Sequence, residues 1–155
     1  TSKAVFVMGI LSIINISLSK ELLVLLYLFG DGYSNVFFPT SPVLLISLSL
    51  IGINYIKFAI EKRNLFRFLF QSNEFSGISM LELLETEELF PMFGMLQNEL
   101  DISLAAAKEV FSTLFIFSHG YASLYANNTM LYNEQDVIRA LDKIFVGAVC
   151  IVKGD

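Results

Sequence analysis

The chain of 155 residues is long enough for one ordinary domain, or for a small domain with an appendage. Hydrophobic residues make up 55% of it, and its formal net charge is -5 at neutral pH. This acidic balance argues against direct nucleic-acid binding, which requires clustered Lys and Arg. A single cysteine, Cys150, excludes an internal disulfide framework and a multi-cysteine metal site within this sequence.

The charge is distributed unevenly, with a change near residue 57. Of all the Lys, Arg, Asp and Glu residues, only Lys3, Lys20, Glu21 and Asp31 precede that position. A stretch so poor in charge cannot present an ordinary wet surface, so residues 1–56 are predicted to be buried in protein or in lipid. We therefore expect two parts, a hydrophobic segment over 1–56 and a soluble, cytoplasmic domain over 57–155.

The hydrophobic segment contains three apolar stretches, at 4–18, 22–29 and 43–56. The second and third are separated by a run rich in Gly, Ser, Asn, Thr and Pro, which predicts a broken helix. Inside a membrane such unwound backbone commonly holds an ion or a substrate carboxylate, which makes Asp31 a functional candidate. The alternative is a pair of very apolar helices that cover a soluble core, with the Gly/Pro run as their connecting loop.

The residues DGYSNVFFPTSPVLLISLSLIGINYIKF resemble the C-terminal end of anaerobic dicarboxylate and short-chain carboxylate carriers. That family has a G-D-G-x-[ST]-N-x-x-x-P-T-x-x-V-L signature, and the positions in register here are Gly30, Asp31, Gly32, Ser34, Asn35, Pro39, Thr40, Val43 and Leu44. The resemblance implies a re-entrant hairpin and association with a membrane through residues 1–56. It also implies an ion or substrate site near Asp31, Ser34, Asn35 and Thr40.

The pattern after residue 57 predicts an all-α fold. The expected elements are a helix after Lys57 that breaks near Arg63 and Asn64, a loop over 72–79 with Gly77 as its turn residue, a helix from Met80 to Leu89, a helix from Pro91 to Leu100, a long helix from Leu104 to about Ala126 capped by Asp101–Ser103, and a last helix from Glu134 to about Val152.

The sequences RNLFRFLF, FSTLFIFSHGYASLYANN and EQDVIRALDKIFVGAV resemble the C-terminal effector-binding and dimerisation domain of TetR-type transcriptional regulators. The resemblance covers residues 57–153 and is specific at Phe115, His119, Gly120, Ala122, Leu124, Asn127 and Asn128. It implies a helical bundle that encloses an effector pocket and forms a homodimer through Leu104–Ala126 and Glu134–Val152. Residues 1–56 lack the family's basic recognition-helix pattern, so we expect no direct DNA binding by this chain.

The candidates for the effector pocket are five phenylalanines and the single histidine of the chain, namely Phe66, Phe70, Phe93, Phe111, Phe115 and His119. Aromatic side chains of this kind line pockets for apolar or amphipathic small molecules, although each of these residues also suits plain core packing. The acidic cluster over 82–88 is typical of a solvated helix face. We expect no catalytic residue, cofactor or metal site, because no nucleophile-elbow or Walker motif occurs.

Three hypotheses follow from the sequence. The first is a TetR-like effector-binding and dimerising domain joined to a carrier-like segment. The second is a fragment of a membrane carboxylate transporter, and the third is a purely structural helical protein.

Overall fold

The computed structural model of the chain describes residues 42–72 and 79–154. The apolar stretches at 4–18 and 22–29 and the turn at Gly77 lie outside the described residues. The same holds for the four predicted ion-site residues, Asp31, Ser34, Asn35 and Thr40. All of these stay predictions.

The described residues form six α-helices and contain no strand, so the all-α class is confirmed. The helices are α1 Pro42–Glu61, α2 Arg63–Gln71, α3 Met80–Leu84, α4 Phe90–Leu100, α5 Leu104–Ala126 and α6 Glu134–Lys153, with a 3-10 turn at Glu87–Leu89 before α4. Within this part of the chain, no helix combines the length and the apolar character that crossing a bilayer requires.

Short polar side chains define where several helices begin. The hydroxyl of Ser79 accepts from the backbone N–H of Glu82 at 3.2 Å, and the Glu82 carboxylate accepts from the N–H of Ser79 at 2.8 Å. Ser103 caps α5 by accepting from the N–H of Ala106 at 3.1 Å. Asn133 caps α6 in the same way. The predicted start of α5 and the predicted start of α6 are thereby confirmed.

The prediction of one helix from Met80 to Leu89 is wrong in its second half. The helix α3 ends at Leu84, and Thr86 has an extended ψ of 121° before the 3-10 turn. Leu83 and Leu89 are both buried in the same hydrophobic cluster. On a continuous helix these two side chains would point about 120° apart, so the break at Thr86 allows both to reach one core.

The three longest helices pack together, and α1 lies against both α5 and α6. It runs parallel to α5, because Gly52 lies beside Ser118 and Tyr55 beside His119. It runs antiparallel to α6, since Ser49 bonds Asp142 and Lys57 bonds Glu134. The helix α4 covers the first half of α5.

Two hydrophobic clusters fill the bundle, one on the α4 side and one on the α2 side. The helix α1 contributes to both and passes through residue 57 without a break. The predicted division between residues 56 and 57 therefore falls inside a single helix. The buried residues on its two sides, Ile56 and Ala59, belong to the same cluster.

Candidate functional site

A buried hydrogen bond joins α1 to α5 near the centre of the bundle. Tyr55 on α1 is only 4% exposed, and its hydroxyl lies 2.8 Å from Nδ1 of His119 on α5. Burial raises the pKa of Tyr55 above its ordinary value and lowers the pKa of His119. The lowered pKa of His119 favours its neutral imidazole, and the tautomer of that imidazole sets which of the two groups donates in the hydrogen bond.

Three phenylalanines surround this pair. The ring of Tyr55 lies 5.9 Å from Phe66, 5.8 Å from Phe70 and 6.2 Å from Phe115, measured between centroids. The same three rings lie 5.7, 5.8 and 6.0 Å from the imidazole of His119. Edge-to-face and offset contacts at these separations are favourable beyond simple burial. The Tyr55–His119 bond is thus held in a closely packed aromatic cage.

An apolar cavity of about 50 Å³ adjoins this cage. Its walls come from four helices, and the lining residues are Leu48, Ser49, Ile51, Gly52, Tyr55, Met92, Phe111, Leu114, Phe115, Ser118, Leu141 and Phe145. Phe115 belongs to both the cavity wall and the aromatic cage. Of the polar side chains in the wall, Ser49 donates to Asp142 at 2.8 Å and Tyr55 bonds His119. Aliphatic and aromatic groups dominate the lining, so the cavity suits an apolar molecule.

Gly52 determines how closely α1 approaches α5 and α6 at this cavity. A Cβ atom at this position would lie 3.1 Å from a methyl carbon of Leu141 and 3.1 Å from the hydroxyl oxygen of Ser118. Both contacts are tighter than ordinary van der Waals distance, so a larger residue would push α1 outward. Glycine at position 52 therefore permits the close packing of α1 against α5 and α6.

The structure brings the six predicted pocket residues into one continuous series of ring contacts. Phe93 packs edge-on against Phe111 at 5.6 Å, Phe111 stacks on Phe115 at 6.0 Å, and Phe115 stacks on His119 at 6.0 Å. His119 then contacts the two remaining rings, Phe66 and Phe70. Only Phe111 and Phe115 line the cavity itself. Phe93 and Phe66 are fully buried packing residues.

The sequence did not predict the contribution of α1, which supplies Tyr55, Gly52 and Ser49 to this region. Residues 43–56 belong to the predicted hydrophobic segment, and all the predicted pocket residues follow residue 57. One signal was available, since a tyrosine within an apolar run usually needs a partner for its hydroxyl once its ring is buried. The identity of that partner, His119, depends on tertiary contacts 64 positions apart in the chain.

Two of the acidic residues before α4 have ordinary structural partners. Glu82 completes the cap of α3, and Glu85 forms an ion pair with Lys108 at 2.6 Å. Within the described residues, no three His, Cys, Asp or Glu side chains come together in an arrangement that could hold a metal ion.

Comparisons with protein-family models, with curated proteins and with solved structures found no match to this chain.

Proposed function

We propose that residues 42–154 form a ligand-sensing helical domain that binds a small apolar molecule in the cavity between α1, α4, α5 and α6. The observation that carries this proposal is the apolar cavity whose wall includes Phe111, Phe115 and the Tyr55 of the Tyr55–His119 pair. The resemblance to the effector-binding domain of TetR-type regulators supports the same function. In this proposal the ligand changes the packing of α4 and α1 against α5 and α6.

The size of the cavity limits how the ligand enters. A volume of about 50 Å³ is smaller than the roughly 150 Å³ of an engineered protein cavity that admits benzene. The wall must therefore move when a ligand binds, and Met92 of α4 is the side chain best able to do so because methionine is unbranched and flexible. The ligand would select an expanded form of the domain, which is how a bound effector shifts a conformational population.

We further propose that the domain forms a homodimer through the outer faces of α5 and α6. Ile116 on α5 is 60% exposed, Ile151 on α6 is 74% exposed, and Leu124 and Val146 are also exposed on these two helices. Gly120 on α5 has open space around the position of a Cβ atom. Exposed aliphatic residues beside a glycine suit a second pair of helices at close distance, as in a four-helix dimer interface.

Enlarging the cavity tests the ligand proposal. Met92→Ala removes a side chain from the wall, whereas Met95→Ala removes a partly buried methionine that packs on the same cluster without lining the cavity. Benzene binding, measured by isothermal titration, should tighten in Met92→Ala and stay unchanged in Met95→Ala. Equal affinity in the two variants would contradict a ligand site at this cavity. Leu114→Phe, which fills the cavity, should weaken binding and provides the test if Met92→Ala fails to fold.

Charge placed on the outer face tests the dimer. In sedimentation equilibrium, the full chain should be a dimer, and the double variant Ile116→Asp, Val146→Asp should be a folded monomer. Leu131→Asp is the control, because Leu131 is more exposed than either residue, at 95%, but lies outside α5 and α6. A monomeric parent chain, or a double variant that remains dimeric, would refute this interface.

A further inference from the structure

The helix α2 carries apolar and basic side chains together on its outer surface. Its inner side buries Phe66, whereas Leu65 is 47% exposed, Phe68 is 49% exposed and Arg67 is also exposed. Lys62, also exposed, precedes the helix, and Arg63 is its first residue. Lys62, Arg63 and one carboxylate, Glu61, are among the lining residues 60–65 of a shallow surface groove at the junction of α1 and α2.

The turn between α5 and α6 lies next to α2. The side-chain amide of Asn127 donates to the Oε1 atom of Gln71 at 3.3 Å, which joins the end of α5 to the end of α2. In this turn Leu131 is 95% exposed and Met130 is also exposed. Turns normally carry polar residues, so two large apolar side chains in sequence here indicate a surface that contacts something other than water.

Charge is distributed unevenly over the described residues, with basic side chains in local excess at the α2 end although the carboxylate of Glu61 is also exposed there. At the α2 end, Lys57 is paired with Glu134 at 2.7 Å and Arg139 with Asp136 at 2.6 Å. None of the ion pairs among the described residues involves Lys62, Arg63 or Arg67, so this end keeps basic groups available. The opposite end carries the exposed carboxylates Glu82, Glu85, Glu87, Glu99 and Asp101.

The local excess of basic side chains at the α2 end matters because the whole chain is acidic, with a net charge of -5. Charges in physiological salt are screened beyond about 8 Å, so an anionic partner at the α2 end interacts with the local basic groups and not with the distant carboxylates. The α2 end is therefore complementary to an anionic surface despite the overall charge.

We propose that the end of the bundle formed by α2 and residues 127–133 docks on an anionic lipid bilayer. Leu65, Met130 and Leu131 enter the boundary between headgroups and acyl chains, and Lys62 and Arg67 contact the lipid phosphates. This combination of exposed apolar residues and basic residues is the chemistry by which helices bind at membrane interfaces. Three of the four large apolar side chains exposed at this end, Leu65, Met130 and Leu131, have no ring on which bases can stack, which favours lipid over single-stranded nucleic acid; the fourth is Phe68 on α2.

Co-sedimentation of the full chain with vesicles tests the proposal. The vesicles are phosphatidylcholine alone or phosphatidylcholine with phosphatidylserine, and the charge variant is Lys62→Gln, Arg67→Gln. The matched control is Lys143→Gln, Lys153→Gln, which removes two exposed basic residues from α6. A second pair compares Leu131→Ser with Leu81→Ser, because both replace an exposed leucine but only Leu131 lies in the turn; Leu81 lies on α3, outside the proposed dimer faces.

The chain should bind the anionic vesicles more tightly than the neutral ones, and added salt should weaken binding. Each basic residue removed from the α2 end should reduce the partition coefficient about fivefold, so the charge variant should lose about 25-fold while its control changes much less. The partition coefficient of Leu131→Ser should be about tenfold or more below that of Leu81→Ser.

Three results would overturn the proposal. The first is equal binding to neutral and anionic vesicles. The second is binding by both α2-end variants as tight as that of their controls, which would place the membrane contact elsewhere in the chain. The third is an absence of vesicle binding together with retention of a mixed-sequence oligonucleotide that the charge variant loses.

Discussion

The hydrogen bond between Tyr55 and His119 should contribute measurably to stability, and paired substitutions can isolate it. Tyr55→Phe keeps the ring among Phe66, Phe70 and Phe115 and deletes only the hydroxyl that lies 2.8 Å from Nδ1 of His119. The aromatic contacts should therefore survive, and the change reports on the hydrogen bond alone.

The expected magnitude follows from what each substitution leaves behind. Tyr55→Phe leaves Nδ1 of His119 without its hydrogen-bond partner in a mostly buried site, which should cost about 1–2 kcal/mol of unfolding free energy. His119→Phe leaves the buried Tyr55 hydroxyl without its hydrogen-bond partner and should cost a similar amount of unfolding free energy, about 1–3 kcal/mol. In the double variant neither polar group remains, so its cost should be smaller than the sum of the single costs by about 1 kcal/mol.

Urea denaturation of the four proteins, followed by circular dichroism at one protein concentration, gives the three differences in unfolding free energy. A coupling energy near 1 kcal/mol would agree with a hydrogen bond that joins α1 to α5. Additive effects of the two substitutions would refute it and would reduce the pair to two separate aromatic packing residues.

Three further predictions concern packing, pH and helix capping. Gly52→Ala should destabilise the chain by about 0.5–2 kcal/mol, because the new methyl group meets Leu141 and Ser118 at 3.1 Å. Gly94→Ala, which has open space around the new methyl group, should stabilise α4 by about 0.5–1 kcal/mol. A change of the thermal unfolding temperature in the same direction for both variants would contradict this. Because the pKa of His119 is lowered in the folded state, the unfolded chain takes up a proton first as the pH falls below the ordinary value of 6.5. The stability that the neutral, buried His119 contributes should be complete above pH 6.5 and be lost as the pH falls toward its lower pKa in the folded chain, at no more than about 1.4 kcal/mol per pH unit. This pH dependence of the unfolding free energy should be absent in His119→Phe. Ser103→Ala should cost about 1 kcal/mol through loss of the α5 cap, and no effect in chemical denaturation would count against that capping role.

The helix limits were predictable wherever a local signal defines them. The long helix α5 begins after a serine cap and ends at Asn127, both of which can be identified from the sequence alone. The break at Thr86 was not predictable in this way, because the Leu and Glu pattern around it continues as a helix would. It depends on Leu83 and Leu89 reaching one core, which is a tertiary requirement.

The candidate site was predictable only where a local pattern along one helix defines it. Aromatic spacing along α4 and α5 identified Phe111 and Phe115, which do line the cavity. The cavity also needs α1, and no local pattern indicates that Gly52 lies against Ser118 or that Tyr55 meets His119. These contacts join residues more than 60 positions apart in the sequence, where local periodicity carries no information.

The most direct test of the proposed ligand site is a benzene titration of the full chain, observed in the methyl NMR spectrum with labelled methionine. Met92 lines the cavity, whereas Met130 is exposed in the turn after α5 and serves as an internal control. The proposed function predicts saturable shifts of the Met92 methyl signal with no change at Met130. Unchanged signals, or equal non-saturating shifts at both methionines, would contradict a ligand site in this cavity.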